Sequence, residues 1–184
     1  MKGLGTALVT PFTEEGKIDF PALDRLIDYQ VSSGIDYLVI LGTTSEVPTL
    51  THSEQDQIIA RVVKQVDGRI PLILGVGGNS TAAVVERLHE LSDILSAHFS
   101  GILSVTPYYN RPQQEGLYMH FSAVADASPV PVILYNVPKR TGVNLLPETT
   151  RRIYEAYPNK IMGIKEACGS VEQFIETVRL AKGD

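Results

Sequence analysis

The segment Val130-Pro131-Val132-Ile133-Leu134-Tyr135-Asn136 is the stretch that best indicates the fold. Its apolar residues are continuous rather than alternating with polar ones, which is typical of a parallel β-strand covered on both faces. Similar apolar runs recur along the chain: Leu4 to Val9, Tyr37 to Leu41, Pro71 to Gly75, Gly101 to Val105 and Ile161 to Ile164. Their centres lie about 30 to 34 residues apart, the length of a strand-helix unit with its loops. The spacing predicts a series of parallel strands.

Amphipathic helical stretches separate these runs. Pro21 can begin the first helix, because the N–H that proline lacks would have no acceptor within the helix at its first position. Thr51 and Glu54 form a capping-box pattern before the second helix, and Ser170 with Gln173 repeat the pattern before the last. Further helices are predicted over residues 81–96, 113–128 and 147–156. Alternating strands and helices indicate an α/β fold with a parallel sheet.

Two architectures are consistent with such a sheet: an open, doubly wound sheet and a closed (β/α)8 TIM barrel. No G-x-G-x-x-G sequence follows the first strand, so a dinucleotide-binding sheet would lack its phosphate loop. Polar residues instead collect where the strands end, which is where barrel enzymes place their active sites. We therefore favour the barrel.

A complete barrel needs eight units and about 250 residues, whereas this chain has 184. Residues 1–184 are accordingly predicted to form a (β/α) barrel domain that stops after about six units. The domain is expected to be truncated before strands 7 and 8 and before any C-terminal helical region. Gly183-Asp184 would be a turn toward the seventh strand.

Composition narrows the class of protein. The net charge of −5 gives no footprint for nucleic acid or for an anionic membrane. The single cysteine, Cys168, excludes an internal disulfide and fits a reducing compartment. Neither a signal-peptide pattern nor a long apolar span is present, so we expect a soluble cytoplasmic protein without membrane partners.

Lys165 is the first candidate for chemistry. It follows Ile161-Met162-Gly163-Ile164 and so ends a strand that we expect to be buried. Lysine is rarely buried unless it is paired or used. Desolvation there would favour the neutral amine that can attack a ketone. The alternative is a salt bridge, for instance with Glu166.

Polar residues after other strands are further candidates. Tyr135 could be a packing residue or an acid/base at the barrel mouth. Thr43 and Thr44 could hold a carboxylate with their hydroxyl and loop N–H groups, or be ordinary turn residues. Tyr108 and Tyr109 are adjacent, so only one should face a given site. Their loop lies between prolines that stiffen it.

Arg140, in the loop after Tyr135, could grip a carboxylate through two parallel hydrogen bonds or be simply solvated. The four histidines show no metal-ligand spacing, and a surface or interface role is expected for them: His52, His89, His98 and His120. Cys168 is expected to be a small buried residue.

The combination of motifs is more specific than any single residue. In order along the chain stand Gly42-Thr43-Thr44, Thr106 to Pro112, Tyr135-Asn136-Val137-Pro138 with Arg140-Thr141-Gly142, and Gly163-Ile164-Lys165-Glu166-Ala167. Together they resemble the dihydrodipicolinate synthase family, within the pyruvate-utilising class I aldolases. The resemblance covers the whole chain.

The resemblance implies a mechanism and partners. Lys165 would condense with pyruvate, and the enamine would attack aspartate semialdehyde to give 4-hydroxy-tetrahydrodipicolinate. Tyr135 would be the central acid/base, linked through Thr43 to Tyr109 from a neighbouring subunit. Thr44 would bind the pyruvate carboxylate and Arg140 the carboxylate of the semialdehyde. No cofactor or metal would be needed, and a homotetramer built as a dimer of dimers is implied.

Two departures from the family pattern matter. Ser45 stands where Gly-Thr-Thr is usually followed by glycine, and a positive φ there would strain a serine. The family also has a lysine-binding regulatory cleft, to which His52, Gln55, Asn79, Ala83 and Tyr108 would correspond. Sensitive members typically carry a glutamate in place of Ala83, so weak inhibition by lysine is expected.

Two alternative functions stay open at this point. One is another pyruvate aldolase such as N-acetylneuraminate lyase, against which Arg140 argues, since a sugar chain calls for hydroxyl-binding groups. The other is a catalytically inert barrel fragment. Retention of every expected catalytic side chain argues against the second, and the missing units argue for it.

Overall fold

The computed structural model describes residues 2–182. Six strands are present, and each is followed by at least one helix. The strands are β1 (Gly5–Ala7), β2 (Tyr37–Ile40), β3 (Leu72–Gly75), β4 (Gly101–Val105), β5 (Val132–Asn136) and β6 (Ile161–Glu166). The helices are α1 (Phe20–Ser32), α2 (His52–Val66), α3 (Thr81–Glu90), α4 (Ser92–His98), α5 (Gln114–Ala127), α6 (Pro138–Thr141), α7 (Pro147–Ala156) and α8 (Val171–Lys182). The predicted α/β alternation is confirmed.

The chain divides into two compact units. The first runs to Gly75 and takes in Ala97–Ser100. Its strands β1, β2 and β3 pair in parallel in that order. Buried aliphatic side chains of β2 and β3, such as Leu38 and Ile73, form its core with the apolar faces of α1 and α2. The predicted capping box of Thr51 and Glu54 at the start of α2 is present.

The second unit contains Val76–Ser96 and the chain from Gly101 onward. Strands β4, β5 and β6 pair in parallel in that order. Helices α5 and α7 cover this ladder with fully buried side chains that include Phe121, Val124 and Ile153. The long apolar run at residues 130–136 therefore supplies β5, the middle strand of three.

One local prediction is wrong, and another concerns residues outside the described range. The single helix predicted over residues 81–96 is broken at Leu91. The Leu91 N–H bonds to the carbonyls of both Arg87 and His89, the tightening typical of a helix end, and α4 begins at the next residue. The turn predicted at Gly183 and Asp184 lies outside the described residues.

Helix α8 carries an exposed apolar face. Val171 is 72 % exposed, Phe174 55 % and Ile175 59 %. Met162 on β6 is 38 % exposed as well. Among residues 2–182, β6 has a strand partner along one edge only. Apolar surface of this kind, contiguous along a helix, is typical of a packing face rather than of a solvated one.

Across the described residues, no helix is both long enough and apolar enough to pass through a lipid bilayer.

Candidate active site

Lys165 and Tyr135 lie side by side at the ends of β6 and β5. The two residues are direct cross-strand partners in the parallel ladder. The Lys165 Nζ stands 4.3 Å from the centroid of the Tyr135 ring, within the range of a cation–π contact. The tyrosine is buried at 6 % exposure, while the lysine is exposed. The ladder register thus brings together two of the predicted site residues.

The expectation that Lys165 ends a buried strand is wrong for the described residues. In β6 only Ile161 is buried, and Met162, Gly163 and Lys165 are exposed. The physical reason is that β6 lies at the edge of its ladder among residues 2–182, so that its free edge meets solvent and residues on both of its faces are exposed. The alternative salt bridge with Glu166 is not formed among residues 2–182 either, since successive side chains of a strand point to opposite faces.

On the other face of the same strand ends lies a second cross-strand pair, Asn136 and Glu166. The Asn136 Nδ2 donates to both carboxylate oxygens of Glu166, at 3.0 and 3.1 Å. Asn136 is fully buried. The same carboxylate accepts the backbone N–H of Cys168 at 2.8 Å and the Gln173 Nε2 at 3.0 Å. Every donor to Glu166 in this set is therefore a neutral amide.

The Asn136–Glu166 pair extends into the loop that follows α6. The Leu145 N–H donates to the Asn136 Oδ1 at 2.9 Å, and the Asn144 Oδ1 accepts from the Asn136 Nδ2 at 2.8 Å. Gln173 of α8 exchanges hydrogen bonds with Asn144 in both directions, at 2.8 and 3.1 Å. This cluster was not predicted from the sequence. Asn136 and Glu166 directly follow the two predicted site residues, and this position could have indicated that they face each other on the opposite side of the strands.

Arg140 stands in the short helix α6, between β5 and this cluster. The helix ends at Gly142, whose φ of 72° is left-handed. The Thr141 hydroxyl donates to the carbonyls of Val137 and Val143, at 3.3 and 3.0 Å, which fixes the turn. Arg140 itself is exposed. Its guanidinium is thus free to reach a ligand from a firmly held backbone.

The tyrosine loop between β4 and α5 presents one side chain almost entirely to solvent. Tyr109 is 89 % exposed and Tyr108 37 %. Tyr109 has a φ of 71° and Arg111 one of 49°, both left-handed. The Asn110 side chain ties the loop to the Asn79 carbonyl at 2.7 Å. Both tyrosines are exposed, and the left-handed backbone at Tyr109 is not the extended one on which the expected opposite directions rested. That only one of them faces a given site stays a prediction.

Thr43 and Thr44 lie in the first unit, in a 3-10 turn after β2, and both are exposed. The following Ser45 is buried at 3 %, and its hydroxyl donates to the Leu8 carbonyl at 2.6 Å. Its φ is not positive; the left-handed residue is the next one, Glu46, with φ 55°. The serine in place of glycine is therefore unstrained and gains a buried hydrogen bond.

His120 contradicts the expectation of a surface histidine. It is 2 % exposed on α5, its Nδ1 lies 2.8 Å from the Thr81 hydroxyl, and its Nε2 has no partner among the described residues. Burial lowers the pKa of His120 to about 4, so the ring is neutral at pH 7. Cys168 is half-buried rather than buried, and desolvation raises the pKa of its thiol.

The candidate regulatory residues are divided between the two units. His52 and Gln55 stand in the first turn of α2, where the Gln55 side chain donates to the Leu50 carbonyl at 3.1 Å. Asn79, Ala83 and Tyr108 belong to the second unit. Ala83 is exposed on α3 and offers only a methyl group to its surroundings.

Parallel strands each followed by a helix, with a lysine beside a tyrosine at two adjacent strand ends, define an α/β protein of the kind that builds barrels. The family model described as "Dihydrodipicolinate synthetase family" matches residues 1–184. The chain belongs to this family.

Individual relatives agree with the family match. The chain is 51 % identical over 182 residues to 4-hydroxy-tetrahydrodipicolinate synthase of Parabacteroides distasonis, covering 97 % of this chain and 59 % of the relative. It is 50 % identical over 177 residues to the same enzyme of Flavobacterium psychrophilum, covering 96 % and 59 %. The chain thus spans about three fifths of the length of these relatives.

Solved structures support the fold class. Dihydrodipicolinate synthase from Thermotoga maritima superposes with a TM-score of 0.91 at 43 % identity, over 98 % of this chain and 59 % of that one. A monomeric dihydrodipicolinate synthase variant gives the same TM-score and identity, over 98 % and 58 %. These neighbours are TIM barrels, and the predicted barrel class is confirmed.

Proposed function

We propose that the full-length protein containing this chain condenses pyruvate with aspartate semialdehyde to form 4-hydroxy-tetrahydrodipicolinate. The observation that carries the proposal is the Lys165 amine over the Tyr135 ring at adjacent strand ends. The pair stands in a chain about half identical to synthases of that name. An exposed primary amine is open to a soluble ketone, and a neighbouring phenol can carry a proton.

The proposed reaction begins at the lysine. The Lys165 nitrogen attacks the pyruvate ketone carbon, and loss of water leaves an iminium that withdraws electrons from the methyl group. A methyl proton leaves, and the resulting enamine carbon bonds to the aldehyde carbon of the semialdehyde. The amino group of the semialdehyde then attacks the iminium carbon, which closes the ring and releases Lys165. No separate cofactor enters these steps.

The other residues have proposed roles that rest on the family resemblance. Tyr135 moves the protons, with Thr43 and the Tyr109 of a neighbouring subunit as its relay. Thr44 binds the carboxylate of pyruvate. Arg140, exposed on its fixed turn, binds the carboxylate of the semialdehyde, because a guanidinium matches a carboxylate with two parallel hydrogen bonds.

Borohydride trapping tests the proposal directly. The full-length protein is incubated with pyruvate, reduced, and mapped by peptide mass, and coupled turnover with aspartate semialdehyde is measured alongside. We expect a stable adduct on Lys165 and ring formation. N-acetylneuraminate serves as the competing substrate. Cleavage of the sugar acid without turnover of the semialdehyde would identify another aldolase, and no adduct on folded protein would favour an inert barrel.

The assembly is a further part of the proposal. We infer a cytoplasmic homo-oligomer, a dimer of dimers, whose polypeptide continues with two more βα units. The 89 % exposure of Tyr109 supports a role across a subunit boundary, and the exposed face of α8 supports further packing. Sedimentation of the full-length protein should give a tetramer, and Tyr109→Ala should lower turnover. An active monomer would contradict the shared-tyrosine arrangement.

Weak inhibition by lysine is the last part of the proposal. Ala83 offers neither charge nor hydrogen bond to an ammonium group, and binding without that partner should be weakened well over tenfold, at a cost of about 2–3 kcal/mol. Glu86, three residues along the same helix, could supply part of the missing charge. A lysine titration should show little inhibition below about 1 mM. A Kd of that size corresponds to a binding free energy of about −4 kcal/mol. Introducing Ala83→Glu should raise the sensitivity; strong inhibition of the unaltered enzyme would contradict the argument.

A further inference from the structure

The two strand ends that carry Lys165 and Tyr135 are joined on their opposite face by Asn136 and Glu166. In a strand, each side chain on one face is fixed by the same backbone that carries its neighbour on the other. A shift of the backbone at Glu166 therefore also shifts Lys165, and the same holds for Asn136 and Tyr135. The geometry couples a buried polar contact to the reactive pair.

The hydrogen-bonding capacity of the contact is filled. The Asn136 amide nitrogen has acceptors in Glu166, Asn144 and the Leu145 carbonyl, all within 3.3 Å. The Glu166 carboxylate has donors in Asn136, Gln173 and the Cys168 N–H. Bonds to an ionised acceptor are shorter and stronger than neutral ones. The charge of Glu166 thus holds three separate chain segments at one point.

One of those segments is the loop that carries Arg140. Asn144 and Leu145 follow the α6 turn by only a few residues, and both bond to Asn136. The Asn144 side chain also bonds to Gln173 of α8. The cluster therefore ties the lysine strand, the tyrosine strand and the arginine loop together.

We propose that Asn136, Glu166, Asn144 and Gln173 form a positioning cluster that sets the placement of Lys165, Tyr135 and Arg140 relative to one another. This inference rests on the proposed function. No member of the cluster needs to touch substrate. Its contribution is to hold the amine and the guanidinium where one ketone and one carboxylate can be met together, and misplacement of reacting groups by about 1 Å can cost on the order of a hundredfold in rate.

Glu166→Gln in the full-length protein is the central test. The variant keeps the shape and one acceptor oxygen, but removes the charge and places an N–H2 group against the donors of Asn136 and Gln173. The rate of imine trapping at Lys165 should fall about ten- to a hundredfold. The KM for aspartate semialdehyde should rise severalfold, because the Arg140 loop is released.

The matched control is Glu115→Gln. It makes the same atomic change in the same unit, but at an exposed ion pair with Arg152 on the surface of α5. Its trapping rate and KM should equal those of the unaltered protein. A purely structural effect of losing a carboxylate would lower the melting temperatures of both variants without changing the semialdehyde KM.

Rescue separates positioning from general damage. In the double variant Asn136→Asp with Glu166→Gln, the donor and acceptor change places, and the Leu145 N–H keeps an oxygen to bond. The Asn144 amide has to turn over so that its N–H2 group faces Asp at position 136, while the Leu145 carbonyl keeps its bond from Gln173. Trapping should recover to within about fivefold of the unaltered rate, the sign of a direct coupling between contacting residues. Should Glu166→Gln fail to fold, Gln173→Met removes one donor to Glu166 and should lower the trapping rate severalfold.

The outcomes are distinguishable. If the unaltered protein forms no adduct on Lys165, the proposed function fails and the inference fails with it. A twofold difference in trapping rate is too small to show an interaction between residues. If the unaltered protein is trapped and the rate of Glu166→Gln lies within about twofold of it, only the positioning role is overturned. A double variant no faster than Glu166→Gln overturns it as well.

Discussion

The two faces of the paired ends of β5 and β6 differ in how their polar groups are held. On one face Lys165 is exposed, with its amine 4.3 Å from the centroid of the Tyr135 ring. On the other face Asn136 is fully buried and bonded to several partners at once. A group that must react has to be accessible, whereas a group that must stay in place has to be bonded. One pair of strand ends supplies both.

Substitution of the lysine should have the largest effect on activity. Lys165→Ala removes the amine that stands beside the Tyr135 ring and should abolish imine trapping with pyruvate. Because the side chain is exposed, the free energy of unfolding should change by no more than about 0.5 kcal/mol. Reduction with borohydride followed by intact mass provides the measurement. An adduct that still forms at the unaltered rate would place the reactive amine elsewhere.

Tyr135→Phe should come next. The change removes one hydroxyl from a buried ring, so packing should be kept while proton transfer fails. General acid/base groups contribute about 10²- to 10⁴-fold, and turnover should fall by that factor at little cost in stability. A loss of turnover below about tenfold would assign Tyr135 to the core rather than to proton transfer.

The neighbouring change Asn136→Leu sharpens the comparison. It keeps the number and branching of the side-chain heavy atoms but leaves the Leu145 N–H without an acceptor and removes a donor from Glu166. The free energy of unfolding, measured with urea, should fall by about 1–3 kcal/mol. Tyr135→Phe and Asn136→Leu alter adjacent residues, so equal stability losses in both would show that the two faces are not held differently.

The histidine on α5 gives a pH-dependent effect. His120 has a folded pKa of about 4 against about 6.5 in the unfolded chain. Between these values the unfolded state binds a proton that the folded state does not, so stability falls as the pH falls. The loss should approach about 3 kcal/mol at pH 4.

His120→Gln is the matched variant for this effect, because its amide can still reach the Thr81 hydroxyl. The unfolding midpoint should fall further between pH 7 and pH 4.5 in the unaltered protein than in the variant. An identical pH dependence in both proteins would mean that other groups, and not His120, control acid stability.

Much of the fold followed from local patterns. Continuous apolar runs predicted all six strands to within about two residues, as expected where period and length agree. The break at Leu91 did not follow, because Leu88, Leu91 and Leu95 continue the helical spacing without interruption. Local periodicity reports which residues are buried and not whether one helix or two bury them.

The site was predictable in part. Strand alternation places Tyr135 with Lys165, and it could have placed Asn136 with Glu166 as well. Asn144 and Gln173 could not have been assigned, because their contacts depend on the path of a loop. His120 was assigned wrongly although Leu117, Phe121 and Val124 surround it at helical spacing. Its polar residue type suggested the surface, whereas its position on the apolar face of the helix indicates burial.

The Leu145 amide offers a spectroscopic consequence of the cluster. This N–H is fully buried, and it bonds to the side-chain oxygen of Asn136 rather than to a backbone carbonyl. Its exchange with deuterium therefore requires the Asn136 side chain to let go, an opening distinct from fraying of a helix or a strand. A single amide resonance would then report how often the arginine loop detaches in solution, with substrate bound or absent, without any change to the sequence.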